Sequence, residues 1–509
     1  MLHIISRILI VFFMLAVAVQ AQHHTTSDKE PAGIVDLGEI SFPTSGTAEA
    51  QAHFVRGVLL LHSFEYDRAR RAFTEAKAAE PKFAMAYWGE AMTYNHSIWG
   101  EQDRRAAVAA LAQLGTTPAE RQAAAATTRE KLYLAAVELL YTDGDQKQIN
   151  TAYSNAMGEL ARRYPDDLEA RAFYALSLLG LTGEVRDTEN YMRAAAVAEE
   201  VYTANRKHPG ALHYLIHAYD DPVHAPLGLR VARLYGTVAR GASHAQHMPS
   251  HIFFALGMWE DSITANTASM KTARDAGTGG YHPLHWLEHA YLQTGRDDEA
   301  AKLVAIVEDD TQKNPSAYAR THLAMCRATW LVETRGSGGA SMLQPVDSAG
   351  INSLDAFAAH DMAIGLAHIQ NKDIPAARQA LASLRARITA ANLTTQGSDE
   401  VVTRYSTISK SDIDISSVME RILDASIKFA EGDRDDAIRS ITDAGQAEDK
   451  LIFEYGPPAT VKPAWEAAGE MLLSMGRRTE AIEAFRRVLK RYPNRKLSNE
   501  GMKRASLVN

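Results

Sequence analysis

Eight residues near the C-terminus constrain the architecture more than any compositional figure. Trp465, Gly469, Leu472, Gly476, Ala481, Phe485, Val488 and Pro493 stand at offsets 0, 4, 7, 11, 16, 20, 23 and 28. Near the start, Gly57, Ala69, Phe73, Ala76 and Pro81 fall on the same ladder. The spacing describes two helices joined by a tight turn. Small residues stand where the two helices touch, Phe and Leu fill the space between units, and proline ends the second helix. A unit of this size cannot bury its apolar face alone, so it has to stack on further copies.

The intervening chain supplies them. Gly257 in LGMWEDSI and Gly295 in TGRDDEAA mark two more inter-helix turns. Units around 211–235 and 164–181 precede them, and 118–141 with 146–163 reads as another helix pair. Residues 336–353 are rich in Gly and Ser and read as a linker. Helix pairs are expected at 355–370 with 375–391, and at 413–430 with 434–444, before Gly456-Pro457-Pro458 breaks the chain ahead of the last unit. Alanine is abundant, apolar residues recur at three and four, and strand-type alternation is hard to find.

This ladder resembles that of the tetratricopeptide repeat (TPR) over most of residues 50–495, at nearly every signature position in the last unit and less fully in the middle. The segments FAMAYWGEAMTYN (83–95), ALHYLIHAYDDP (211–222), ASHAQHMPSHI (242–252) and EYGPPATVKP (454–463) look like those of a group of exported bacterial TPR proteins. The resemblance implies an all-α fold, a TPR-type α-solenoid in which helix pairs wind into a right-handed superhelix. It also implies a protein or peptide partner in the concave groove. The expected organisation is a signal peptide at 1–21, a polar leader at 22–49 and a first array at 50–335. The 336–353 linker, a second array at 354–496 and a tail at 497–509 follow.

The N-terminus reads as an export signal. Arg7 precedes the apolar run Ile8–Val19, and Val19-Gln20-Ala21 offers small residues for cleavage before Gln22. Twelve apolar residues make only ~18 Å of helix, too short for a ~30 Å hydrocarbon core. The expected product is exported, periplasmic or secreted, with no stable membrane span after cleavage. A net charge of −8 excludes a generally basic nucleic-acid binder. The single cysteine, Cys326, excludes internal disulfides and Cys-based zinc or iron–sulfur sites.

The histidines are clustered. With Gly257 and Gly295 taken as equivalent turns, His244, His247 and His251 repeat as His282, His285 and His289, a shift of 38. Thirty-four residues earlier, His213 and His217 match His247 and His251, with Gly210 in the third place. The windows 210–217, 244–251 and 282–289 hold eight of the chain's 19 histidines, where chance would place about one in 24 residues. In TPR proteins these positions line the groove, so the resemblance puts the eight on the inner face of three consecutive helices. Spacings of three and four place side chains on one helix face. Helices ~8–10 Å apart let imidazoles meet at one ion.

The expected ligands are His213, His217, His247, His251, His285 and His289. His244 and His282 rank behind them, because Pro249 and Pro283 can set them off the ladder. Asp220 and Asp221 are further oxygen candidates. The donor set suits Zn, Cu, Fe or Ni. Glu288 is a candidate general base, or a partner that orients a ligating imidazole. Two readings follow. One is an exported binding or scaffold protein whose groove holds a metal ion or a peptide. The other is a metal-dependent enzyme, a hydrolase or oxidoreductase, with these histidines around the ion. No phosphate-binding Gly-rich loop, GxSxG elbow or HExxH motif is present.

Overall fold

In the computed structural model, residues 36–182, 186–393, 401–402, 408–451 and 456–507 are described. The expected signal peptide at 1–21 and residues 22–35 lie outside them. Antiparallel helix pairs follow one another from Ala48–His62 with Tyr66–Ala79 to Ala464–Ser474 with Arg478–Arg491. The fold is an all-α, TPR-like solenoid. Among the described residues no helix is long and apolar enough to cross a membrane.

The ladder residues do the packing that their spacing demands. Phe73 lies between Gly57 and Gly89, where an added Cβ would stand 2.6 and 2.3 Å from its ring. Phe485 lies in the same way between Gly469 and Gly501, at 2.7 and 2.4 Å. One aromatic ring thus locks three successive helices at each end of the chain. Gly257 and Gly295 take φ of +65° and +75°, the left-handed backbone that stops the first helix of a pair.

Several segments expected to be peripheral are packed. Leu37 and Phe42 of the leader are buried, and Phe42 meets the rings of Phe54, Trp88 and Tyr133. Within 336–353, Val346 and Ile351 are buried and the Gln344 carbonyl accepts from Arg327. Residues 497–506 belong to a final helix, Lys496–Ser506, because Gly501 receives the far side of Phe485. A three-stranded antiparallel sheet pairs Asn95–His96 with Glu101–Asp103, and the latter with Val401–Val402. These short strands have too few residues to show alternation.

The superhelix returns on itself. Trp259 Nε1 donates to the Asn494 carbonyl at 3.1 Å, Asn494 Nδ2 donates to the Gly257 carbonyl at 3.2 Å, and the Lys496 amide donates to Gln293 at 2.8 Å. Arg495, almost fully buried, bridges Glu333 at 2.7 Å and Glu466 at 2.7 Å. The last repeat therefore seats against the helices that carry the histidines.

Candidate metal centre

Four helical segments carry the histidine ladder: Pro209–Tyr219, Ser243–His247, Pro249–Ala255 and Tyr281–Gln293. Pro249 opens its helix in the first turn, where its missing N–H costs nothing. Met248 keeps right-handed helical angles, and its amide bonds the His244 carbonyl at 3.0 Å. The chain passes through without losing the face that His247 and His251 share. Pro283 likewise sits in the first turn of its helix.

The histidines form two triads. His213 Nε2 lies 3.1 Å from His217 Nε2 and 3.2 Å from His244 Nε2. His247 Nε2 lies 3.2 Å from His251 Nε2 and 3.0 Å from His282 Nε2. In each triad all three ligand atoms fall within 4.8 Å of one another. Each triad takes an i, i+4 pair from one repeat and a third ring from the first turn of the next. His244 and His282, ranked second from sequence, are members. His285 and His289, ranked first, stand outside both triads. His285 Nε2 meets Thr329 Oγ1 at 2.9 Å, and His289 packs on Phe254 and Trp259.

The outer ring nitrogens decide where the protons are. His213 Nδ1 faces the His62 carbonyl at 2.7 Å, an atom that only accepts, so Nδ1 carries the hydrogen. His247 Nδ1 faces Asn266 Oδ1 at 2.7 Å, and the Asn266 amide nitrogen is committed to the Ser262 carbonyl at 3.0 Å. His251 Nδ1 donates to the Asp220 carboxylate at 2.5 Å. In the neutral tautomer these bonds turn the bare Nε2 lone pairs inward. Burial pushes His247 down to about 3, and holds His213, His217 and His244 well below the ordinary imidazole value, with neighbouring histidines adding to the effect. Two bare nitrogens 3.2 Å apart, as in His247 and His251, repel unless a shared proton or a metal ion stands between them.

The spacing fits an ion. Tetrahedral donors ~2.0–2.1 Å from zinc stand ~3.3–3.4 Å from one another, and facial octahedral donors ~2.9 Å. Two separations in each triad, 3.0–3.2 Å, lie between these, and the third falls within 4.8 Å. One aromatic ring covers each triad. Phe64 meets His213, His217 and His244 at centroid distances of 4.3, 5.9 and 5.6 Å. Trp286 meets His247, His251 and His282 at 4.8, 4.4 and 5.6 Å. The triads are thus largely buried rather than spread along an open groove.

The acidic candidates take other places. Asp220 acts through His251 rather than facing the Nε2 atoms. Asp221 holds Arg186 at 2.5 Å and His224 at 2.7 Å and caps the turn through the amides of Val223 and His224. Glu288 is fully buried beside Cys326 and Glu333, and burial pushes its carboxyl well above the usual range. Glu288 stands among Cys326 and Glu333 rather than with the triads.

A third cluster was not anticipated as such. His62 Nε2 and His208 Nε2 both meet Glu169, at 2.7 and 3.1 Å. His208 Nδ1 accepts the Ala211 amide, so its Nε2 carries the hydrogen and donates. His62 Nδ1 is 2.8 Å from the Tyr214 hydroxyl. Burial opposes the Glu169 charge, but His208 and His62 outweigh it and hold the carboxyl down to about 2. Every ring nitrogen of this cluster has a partner without an ion, and it works as a brace for the first triad. A Cβ on Gly210 would stand 2.5 Å from His62 Nδ1, which is why glycine occupies the place taken by histidine in the next two repeats.

Asn266, Phe64 and the His62 carbonyl carried no sequence signal. Each acts through a loop or a helix from outside the ladder.

The last repeat has a counterpart among known families. Residues 464–495 match the tetratricopeptide repeat family model. No curated protein matches in sequence. Among solved structures, yeast Tom70 aligns at 12% identity over 90% of this chain and 94% of that chain, with a TM-score of 0.31. Ypp1 aligns at 10% over 90% and 87%, with a TM-score of 0.40. The human IFIT1 dimer with PPP-AAAA aligns at 13% over 90% of each, with a TM-score of 0.35. Scores this low transfer no site, ligand or activity. The chain is an all-α, TPR-like solenoid with a tetratricopeptide repeat at 464–495.

Proposed function

We propose that this protein is an exported TPR-type scaffold that holds transition-metal ions in two three-histidine sites and presents its repeats to a protein partner. The carrying observation is the pair of triads, each with three Nε2 atoms converging within 4.8 Å. Hydrogen bonds at His213, His247 and His251 turn their lone pairs inward. Zinc, copper, iron and nickel all suit three imidazoles. The repeat architecture supports the partner, and the apolar run Ile8–Val19 supports the export.

A metalloenzyme reading draws on one feature, that three protein donors leave a coordination position for an exogenous ligand. Against it, Asp220 is engaged with His251 and Glu288 is buried beside Cys326 and Glu333, away from that position.

Elemental analysis of the mature chain, untagged and purified without chelator, tests the reading beside a His213→Ala/His251→Ala double variant that removes one ring from each triad. Bound transition metal in the parent and its loss in the variant are expected. No uptake after reconstitution with Zn, Cu, Fe and Ni would refute it.

A further inference from the structure

The two triads have the same three imidazoles and different surroundings. In the second, His251 gives its Nδ1 hydrogen to the Asp220 carboxylate at 2.5 Å, a charge-assisted bond that raises the basicity of the opposite nitrogen. Asn266 fixes His247 in the same sense at 2.7 Å. In the first triad the matching partner of His213 is a neutral main-chain carbonyl, that of His62. The charged groups nearby are Arg186, whose guanidinium bonds the His217 and Ala218 carbonyls and pairs with Asp221, and Glu65, which accepts the His244 amide at 3.3 Å.

The covers differ as well. Trp286 is part of the Tyr281–Gln293 helix, and Gly456 approaches it so closely that a Cβ there would lie 2.2 Å from its ring. Phe64 sits in the turn between the first two helices at φ +55°, a left-handed conformation disfavoured for a bulky side chain. The triads also touch. His217 and His251 have centroids 5.9 Å apart, and His244 and His247 6.2 Å. A cation in one triad therefore raises the electrostatic cost of a cation in the other.

Resting on the metal reading above, we propose that the triads fill in order. His247, His251 and His282 take and retain the first ion, with Asp220 as the positioning residue that sets its affinity. His213, His217 and His244 take a second, exchangeable ion beneath Phe64.

The full mature chain, stripped of metal, is titrated with Zn(II) against a chromogenic chelator. Two ions per chain in steps at least ~10-fold apart are expected. His282→Ala removes the tighter step and His244→Ala the weaker. Asp220→Asn weakens the His282-dependent step by ~10–100-fold, does not weaken the His244-dependent step and leaves the apo helix content unchanged. Titration with Cu(II) adds a spectroscopic mark, because quenching of Trp286 follows the tighter step and is lost in Trp286→Phe. Two equivalent steps, or Asp220→Asn weakening the His244-dependent step, would overturn the ranking and leave the metal reading standing. Failure of the parent to take up any Zn(II) would sink both. If Asp220→Asn does not fold, the comparison of His282→Ala with His244→Ala decides the order alone.

Discussion

His285 offers a clean test of what burial does to this ladder, because it lies outside both triads. It is almost fully buried, and desolvation, with the neighbouring His322, pushes it from 6.5 down to about 3. The unfolded ring binds a proton below about 6.5, while the folded ring refuses it until about 3. Between these values the unfolded state binds more protons, so stability rises with pH and falls as pH drops. From pH 7 to pH 4.5 the ring crosses two units below its unfolded value, at ~1.36 kcal/mol each, or ~2.7 kcal/mol from one side chain. The perturbation is His285→Gln, which keeps a group able to meet Thr329 Oγ1 and removes the titration. Urea unfolding of metal-free parent and variant at pH 7 and pH 4.5 gives the four free energies. The parent should lose ~2–3 kcal/mol more than the variant over that interval. Equal losses would refute the argument, because then His285 does not resist protonation in the folded state.

Three other outcomes are expected. Gly501→Ala places a Cβ 2.4 Å from the Phe485 ring and should cost ~1–3 kcal/mol, read as a lowered Tm, while Gly476→Ala at the open turn meets nothing within 4 Å and costs only its backbone strain. Glu169→Gln weakens two buried hydrogen bonds to a charged acceptor and should destabilise by ~1.5–3 kcal/mol in denaturant melts, with triad metal content unchanged once the protein is folded. Zn(II) at a hundredfold excess over its dissociation constant should stabilise the fold by ~2.7 kcal/mol per site, and chelator should remove that gain, a shift seen directly in thermal melts.

Much of the fold is legible because helix-pair packing depends on small and aromatic residues at fixed offsets. Gly57, Phe73, Gly469 and Phe485 stand where their spacing requires, and Gly257 and Gly295 adopt the turn that their places demand. The leader was less legible, since Leu37 and Phe42 are two apolar residues in a polar stretch and only the groove they fill explains their burial. The histidine face was legible as an i, i+4 pattern. Membership of the triads was not, because the third ring comes from the next repeat. Its reach depends on how Pro249 and Pro283 are accommodated, and both fall in first turns where proline leaves the helix intact. The signs of the carboxyl groups were also hidden. Glu288 and Asp220 look alike in sequence, yet one is sealed beside Cys326 and the other holds a ligating ring.

The triad rule that emerges can be applied back to the chain. A complete set needs histidines at i and i+4 on the first helix of one repeat and a third at i+31 or i+35, in the first turn of the next. His213, His217 and His244 satisfy it, as do His247, His251 and His282. His285 and His289 supply the next pair, but i+31 and i+35 are Ser316 and Arg320. There Arg320 turns instead to Asp347, and the Tyr318 hydroxyl bonds the His282 amide. One repeat earlier, on the helix Leu168–Leu179, the places of His213 and His217 are held by Ala172 and Leu176. The pattern therefore stops on both sides, and beyond its end His322 packs on Tyr318 with its Nδ1 on the Tyr318 carbonyl. A stripe of polar groove contacts would need no such boundary and no dependence on the following repeat. Two adjoining sets of three, with outer nitrogens oriented at His213, His247 and His251 and an aromatic cover on each set, are what two ion sites ask of a repeat array.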